Sequence, residues 1–349
     1  MIAERTVPAV WCPLPSAIHP SWQRIHEDAV DWMMRMRLYR SPAQLSRNAS
    51  SGAGELASRV AADADEEPIR LYAHFLIWLF SFDDEWCSEG RYGASPEELA
   101  VLAARLLRVA ETPEPERMFG DEPWTTALRD IRSRLACVAS DTQIARWAHA
   151  MRMYLFGQVW EAGLRAKGLV PDLNDYMAMR IHSGGLGPCA ALLDVLHGQE
   201  ATPAELHRPE VKALTEMMSI MVGVDNDIIS QHKESRRSTQ PLRLLNVLTH
   251  HHQLSQDEAV EEVIALRDQV LTRYLVLRRD TDQDAAPGLA AYLTGLDRWI
   301  RANLDWSYTC ARYIHPEDPV TMPCATLAAP RPGPARERLC VPSISWWWT

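Results

Sequence analysis

Apolar residues recur at intervals of three and four along most of the chain, and sustained alternation is absent. That is the pattern of amphipathic and buried helices, not of strands. Helical runs are predicted over 21–37, 68–89, 123–138, 141–166, 173–197, 210–232, 242–249, 256–279 and 288–313. Two further starts carry capping signals. Ser95-Pro96-Glu97-Glu98 reads as an N-cap, a first-turn Pro and a capping-box Glu ahead of the apolar repeat from Leu99, and Thr202-Pro203-Ala204-Glu205 has the same form. The breaks are short, and Ser41 to Ala53, polar and small, is predicted to be a loop. None has the composition of an interdomain linker, so the prediction is one all-α domain of ten or more helices. After Pro316 the composition changes: seven Pro lie between Pro316 and Pro342 and periodicity fades. The tail, 316–349, is therefore expected to be irregular or disordered. It ends in Trp346-Trp347-Trp348, and two readings stay open there, docking on the body or an untethered end.

The chain has 349 residues, 47% of them hydrophobic, enough for a sizeable core. Its 36 basic and 46 acidic side chains leave a net charge of −10, which argues against a general nucleic-acid binder. Seven scattered Cys without a CxxC pair indicate neither a zinc ribbon nor a disulfide framework, and fit a reducing cytoplasm. Met1 to Pro15 lacks the basic stretch and apolar core of a signal peptide, and the longest apolar run, Phe75 to Phe82, is too short to span a bilayer. A soluble, cytoplasmic protein without membrane partners is expected. The 13 Trp against 5 Phe predict a core or pocket that uses indole faces.

Two constellations could carry chemistry. Phe82-Asp83-Asp84-Glu85-Trp86-Cys87-Ser88-Glu89 sets three consecutive carboxylates just past an apolar helical run. Their mutual repulsion and the loss of solvation raise their pKa values, and a hard divalent cation such as Mg²⁺ relieves both. A solvated helix terminus is the plainer alternative. In Asn226-Asp227-Ile228-Ile229-Ser230-Gln231-His232-Lys233-Glu234, residues 226, 230 and 234 are spaced by four and four, which lines up three oxygen donors on one helix face. So low-charge a set holds metal well only when the ligand adds anionic oxygens, as a diphosphate does. A wet polar face is again the alternative.

Taken together, these two patterns make the chain similar to the bacterial class I terpene synthases (terpene cyclases), whose signature is an aspartate-rich motif followed by NDxxSxxxE. The second motif is matched at every specified position, including the Lys before the final Glu, Lys233. The family's diphosphate-sensing Arg lies 46 residues before the Asn, where Arg180 stands, and its terminal Arg-Tyr pair matches Arg312-Tyr313, with the expected Trp306 six residues earlier. The start, Cys12-Pro13-Leu14-Pro15, is also similar, and the resemblance covers about 7–315. One departure concerns the acidic motif: its fifth and sixth positions, counted from Asp83, are Cys87 and Ser88, and the acid arrives at Glu89. The first metal ligand is thus Asp83 or Asp84, with Asp83 favoured.

The resemblance implies a class I terpenoid synthase-like helical bundle around a central cavity, with a cyclase domain over 1–315. It implies that a linear prenyl diphosphate is ionised with three Mg²⁺ and cyclised, farnesyl diphosphate first and geranylgeranyl diphosphate next. The implied metal ligands are Asp83, Asp84, Asn226, Ser230 and Glu234; the diphosphate would be met by Arg180, Lys233, Arg312 and Tyr313. In Arg180-Ile181-His182-Ser183-Gly184-Gly185-Leu186-Gly187 it makes Ser183 the linker and Gly184 the effector of a helix break, beside Arg180. The cation needs aromatic shelter. Candidates are Trp78, Phe80, Phe82, Trp86, Tyr154, Phe156, Trp160, Trp299 and Trp306, about half of which should face the cavity; Met218 and Val222 share the helix face of Asn226. Homodimers are common in this family. The rival readings are an isoprenyl-chain elongase and a catalytically silent helical scaffold. His250-His251-His252 is expected to be a solvated loop.

Overall fold

The computed structural model describes residues 7–87, 90–112, 118–230, 242–282, 285–313 and 339–349, and among them every regular element is helical. The elements are α1 (Trp22–Met36), α2 (Pro42–Ala49), α3 (Ala53–Val60), α4 (Glu66–Trp86), α5 (Pro96–Glu111), α6 (Pro123–Leu135), α7 (Asp141–Lys167), α8 (Leu173–Ser183), α9 (Leu186–Ala190), α10 (Pro203–Leu206), α11 (Pro209–Ile229), α12 (Leu244–His251), α13 (Gln256–Asp282) and α14 (Pro287–Ser307). Short 3₁₀ turns follow at Val195–His197 and Ser345–Trp348.

Two helices are buried on nearly all sides. α4 hides Ile69 and most residues from Leu71 to Phe82, and α11 hides an almost continuous run from Met217 to Asp225. Helices without a polar stripe belong in the middle of a helical protein. α4 packs on α1, α3 and α6; α11 packs on α8, α13 and α14; α14 also touches α3. α7 is joined to α5, α8 and α9. The acidic cluster falls at the C-terminal end of α4 and the second motif at the C-terminal end of α11, so the fold brings the two ends to one mouth.

Most of the Trp excess goes into this core. Trp78 and Phe82 stack at 5.0 Å, Trp78 Nε1 donates to the Trp124 carbonyl at 2.9 Å, and Trp124 Nε1 donates to Ser81 Oγ at 3.1 Å. Such aromatic pairs add about 0.5–1.5 kcal/mol each beyond the area they bury.

Where the structure departs from the sequence reading, local chemistry explains it. Ser41 to Ala53 is largely helical. Ser41 caps α2 by accepting the Gln44 N–H at 3.2 Å, with Pro42 in the first turn. This is the same start signal as Ser95-Pro96, where the Ser side chain makes no cap bond. The run 173–197 breaks after Ser183: Gly184 ends α8 and Gly185, at φ 74°, starts the short α9. The last run stops at Ser307, so Arg312 and Tyr313 sit in the turn beyond α14. His250 and His251 are exposed as expected but end α12 rather than forming a loop. The tail expected to be irregular is anchored at its end. Ile344 and Trp347 are buried, Trp347 Nε1 donates to Glu216 at 2.9 Å, Arg273 Nε donates to the Trp347 carbonyl at 2.7 Å, and Ser343 N donates to Asn174 Oδ1 at 2.8 Å.

Candidate active site

A cavity opens between the C-terminal ends of α4 and α11. Phe80, Asp83 and Asp84 line it from α4, Val222, Gly223, Asn226 and Asp227 from α11, and Trp299 and Trp306 from α14. Tyr154, Gln158, Glu161 and Arg165 close one side from α7, and Arg180, Ser183 and Gly184 enter from α8. Arg312 and Tyr313 complete the rim.

On the α4 wall Asp84 receives both terminal nitrogens of Arg312, each at 2.9 Å. A planar guanidinium on a carboxylate in this forked geometry is the stronger kind of ion pair. Burial works against the charge on Arg312, but Asp84 outweighs it and holds the guanidinium above its ordinary pKa. Asp83 has the opposite fate. Burial first, and then the neighbouring Asp84, push its carboxyl up to about 6, although Arg312 pulls it down. The same guanidinium lies 5.0 Å from the Phe80 ring, which stacks on Trp306 at 5.4 Å. Trp306 is fixed from behind by its Nε1 bond to the Ser51 carbonyl at 3.0 Å. That approach requires Gly52: a Cβ there would stand 2.6 Å from Trp306 Nε1, and its φ is 67°.

On the α11 wall Asn226 Nδ2 donates to the Tyr313 hydroxyl at 2.8 Å, which ties the second motif to the Arg-Tyr pair. Arg180 reaches across from α8. Its Nη2 donates to the Gly223 carbonyl at 3.0 Å, to Asn226 Oδ1 at 3.3 Å and to Asp227 Oδ1 at 2.8 Å. Asp227, 2% exposed, also accepts from the Tyr176 hydroxyl and from Leu244 N at 2.7 Å. Ser230 caps α11; it is 1% exposed, and its Oγ has no hydrogen-bond partner among the described residues.

The structure therefore brings Asp83, Asp84, Arg180, Ser183, Gly184, Asn226, Arg312 and Tyr313 to one cavity, with Ser230 one turn beyond Asn226. Glu89, Lys233 and Glu234 lie outside the described residues. Of the cation-sheltering candidates, Phe80, Tyr154, Val222, Trp299 and Trp306 line the cavity. Trp86 does not: it packs edge-on to Trp124 at 5.7 Å and beside Tyr92 at 5.3 Å. Phe156 is 66% exposed, because two residues after Tyr154 a helix has turned to its opposite face. Met218 is fully buried one turn below Val222 and reaches core, not cavity. Trp78 and Phe82 are core residues beneath the wall, and Trp160 is outside it.

Sequence reasoning missed Gln158, Glu161, Arg165, Asp227 and Arg243 as lining residues. The signal for three of them was present, since 154, 158, 161 and 165 fall on one face of α7 by steps of four, three and four. Arg165 Nη2 holds Glu161 at 2.5 Å. Among the described lining residues four guanidiniums (165, 180, 243, 312) face four carboxylates (83, 84, 161, 227). Among the described lining residues the two kinds of charge are equal in number.

That donor set fits divalent metal. Carboxylates on one wall, an amide oxygen and an orphaned hydroxyl on the other are hard oxygen ligands suited to Mg²⁺. Among the described residues no three His, Cys, Asp or Glu side chains form a ready-made cluster.

Known proteins are similar to this chain in sequence and in fold. A family model described as terpene synthase family 2, C-terminal metal binding, matches residues 74–273, more than half of the chain. The (+)-(1(10)E,4E,6S,7R)-germacradien-6-ol synthase of Streptomyces pratensis is 37% identical over 98% of this chain and 96% of that protein. Bonnadiene synthase of Allokutzneria albata is 34% identical over 98% and 97%. A crystal structure of SVS_A2, a protein from ancestral sequence reconstruction, matches with a TM-score of 0.84 at 35% identity over 98% of each chain. The structure of a-eudesmol synthase, TM-score 0.77 at 20% identity, shares the fold. The chain thus belongs to the bacterial terpene synthases, and it is a metal-binding, all-α terpene cyclase of the lyase class.

Proposed function

We propose that the chain ionises a linear prenyl diphosphate with Mg²⁺, three ions in all, and cyclises the allylic cation with release of diphosphate; farnesyl diphosphate is the first choice of substrate and geranylgeranyl diphosphate the second. The observation that carries this is the charge balance of the cavity. Among the described lining residues four guanidiniums meet four carboxylates, which leaves no surplus positive charge there for a departing diphosphate, and added cations would supply it. Asp83 and Asp84 would hold metal on one wall, and Asn226, Ser230 and, outside the described residues, Glu234 on the other. Bound there, the metal supplies Lewis-acid charge neutralisation of the leaving group.

The remaining work belongs to the chain's own side chains. Arg180 and Arg312 orient and hydrogen-bond diphosphate oxygens, joined by the Tyr313 hydroxyl and by Lys233. The Gly184 carbonyl at the α8 break faces the forming cation, with Ser183 linking it to Arg180. Phe80, Trp299 and Trp306 offer ring faces worth about 0.5–2 kcal/mol each to a cation. Trp299 is held in place by donating to the Tyr72 hydroxyl at 2.7 Å. We take 1–315 as the catalytic domain and 316–349 as a tail whose last residues dock on it. Cys12, Cys87, Cys137 and Cys189 are free thiols, in keeping with a cytoplasmic enzyme. No helix among the described residues is long and apolar enough to cross a membrane. A homodimer without nucleic-acid partners is the assembly we propose, to be read by size-exclusion chromatography with light scattering.

The test is incubation of the purified protein with Mg²⁺ and, separately, the ten-, fifteen- and twenty-carbon prenyl diphosphates, followed by gas chromatography with mass spectrometry. A cyclic product from the fifteen-carbon substrate, absent with EDTA, is expected. A longer linear diphosphate on adding isopentenyl diphosphate would overturn the reading. Asn226→Ala and Arg180→Ala should each abolish turnover with helical circular dichroism intact.

A further inference from the structure

We propose that Trp299 limits the length of the substrate, by closing the floor of the cavity against more than fifteen carbons. The inference rests on the cyclase reading above, and it decides between the two substrates named there. Two pairs of side chains join α4 to α14. Near the rim Phe80 stacks on Trp306 at 5.4 Å. Further in, Trp299 Nε1 donates to the Tyr72 hydroxyl at 2.7 Å. The second contact lies eight residues earlier on α4 and seven earlier on α14, so both helices run toward the mouth. At a rise of about 1.5 Å per residue it is about 11 Å deeper than the first. Trp299 lines the cavity at that level and Tyr72 does not. The indole is therefore the floor, and the phenol stands behind it.

Three features keep this floor from receding. The Tyr72 hydroxyl passes the bond on by donating to the Cys189 carbonyl at 3.2 Å, which ties α14, α4 and α9 at one point. Tyr72 and Trp299 are both buried, so neither can turn to bulk water for another partner. One turn before Trp299, Gly295 seats α14 against Leu193, where an added Cβ would stand 2.9 Å from both Leu193 Cδ atoms. The neighbouring Leu76 can rotate away from a longer chain; an indole with its single donor committed loses that bond if it moves. Each isoprene unit adds four chain bonds, about 5 Å when extended. A fifteen-carbon chain, about 15 Å extended on that scale, already exceeds the distance from rim to floor and must fold over. The fourth unit of a twenty-carbon chain then meets the indole.

The test measures kcat/KM with Mg²⁺ on the fifteen- and twenty-carbon prenyl diphosphates, with thermal unfolding beside it. Trp299→Leu removes six non-hydrogen atoms, close to the five carbons of an isoprene unit. Trp299→Phe removes three and keeps a ring, so it decides the matter if Trp299→Leu proves unstable. Tyr72→Phe keeps the ring behind the floor and takes away its hydroxyl. The wild type should prefer the fifteen-carbon substrate by about tenfold or more; the ratio should move toward the twenty-carbon one by about threefold in Trp299→Phe and Tyr72→Phe and by about tenfold in Trp299→Leu. A merely structural role would lower the melting temperature and both kcat/KM values together and leave their ratio unchanged. That result in Trp299→Phe would overturn the inference. A wild type that turns over both substrates equally well would also overturn it and leave the cyclase reading standing. Absence of product from the wild type with either substrate would overturn that reading, and this inference with it.

Discussion

Replacing Asp227 with Ala should cost the fold and the chemistry separately measurable amounts. The carboxylate is 2% exposed and takes three donors from two elements: Tyr176 and Arg180 of α8 and the Leu244 N–H that opens α12. Burial first and Asp227 second raise the Tyr176 hydroxyl well above its ordinary pKa, so it remains a donor. A hydrogen bond to a charged group contributes about 1.5–3 kcal/mol, and removing one partner of a buried ion pair costs about 3–5 kcal/mol. The three losses share one site and do not add. The expected cost of Asp227→Ala is therefore about 3–5 kcal/mol, set by the Arg180 guanidinium left without its carboxylate.

Asp227→Asn separates the two effects. It keeps the shape and one acceptor but turns one oxygen into a donor, which must then face a donor. A cost of about 1–3 kcal/mol is expected, small enough to leave the protein folded. Turnover should still fall about 10- to 100-fold, because Arg180 loses the anchor that, on the proposed function, would point it at the diphosphate. Denaturant unfolding followed by circular dichroism gives the first number and cyclisation kinetics the second. Asp227→Ala within about 1 kcal/mol of wild type, or Asp227→Asn at wild-type turnover, would refute the reasoning.

Three other outcomes are expected. In Gly223→Ala the new Cβ would lie 2.9 Å from Arg180 Nε; stability should stay within about 1 kcal/mol while turnover falls about tenfold, since a flexible side chain yields where a backbone would not. Asp83, whose carboxyl burial pushes up to about 6, ionises in the unfolded chain at lower pH than in the fold. Metal-free stability should therefore decline as pH rises from about 4 through 6, and Asp83→Asn, compared by thermal melts across that range, should flatten the slope. Trp347→Ala removes a side chain 1% exposed and its bond to Glu216; a loss of about 3–5 kcal/mol in denaturant unfolding is expected if the docked end is part of the fold, and a loss under about 0.5 kcal/mol would mean that it is not.

The site was legible in the sequence where one helix supplies the spacing. Asp83, Asp84 and Asn226 lie near the ends of uninterrupted helices, so counting residues places them, and the resemblance placed Arg180 and Arg312-Tyr313 across 46 and 87 residues of chain. What failed was direction around a helix in the absence of a partner. Phe156 and Tyr154 differ by two positions and point to opposite sides; Trp86 is as aromatic as Phe80 but found Trp124 instead of a cavity. Met218 failed differently, being on the right face one turn too deep. Asp227 escaped because nothing in a motif says which acid binds metal and which binds an arginine. The helices of 42–60 were missed because polar, small residues were given more weight than the Ser-Pro start signal in front of them.

Two of the site's arginines, Arg180 and Arg312, are held unequally, which suits them to different parts in the proposed function. Arg180 is bonded to a carbonyl of α11, to Asn226 and to Asp227, and Asp227 is itself held by Tyr176 and Leu244. Displacing Arg180 would strand a buried carboxylate that has no water to turn to. Arg312 is bonded to Asp84 in one forked pair, on a turn past the end of α14 and at the cavity rim. Its carboxylate is also one of the acids placed to take a metal cation. Any cation that takes over Asp84 releases Arg312 toward an incoming anion at little electrostatic cost, since each charge exchanges one partner for another. On the proposed function, Arg180 would be the fixed donor that sets where the diphosphate sits and Arg312 the exchangeable one that closes on it, so that charge neutralisation would be completed only when anion and cation arrive together.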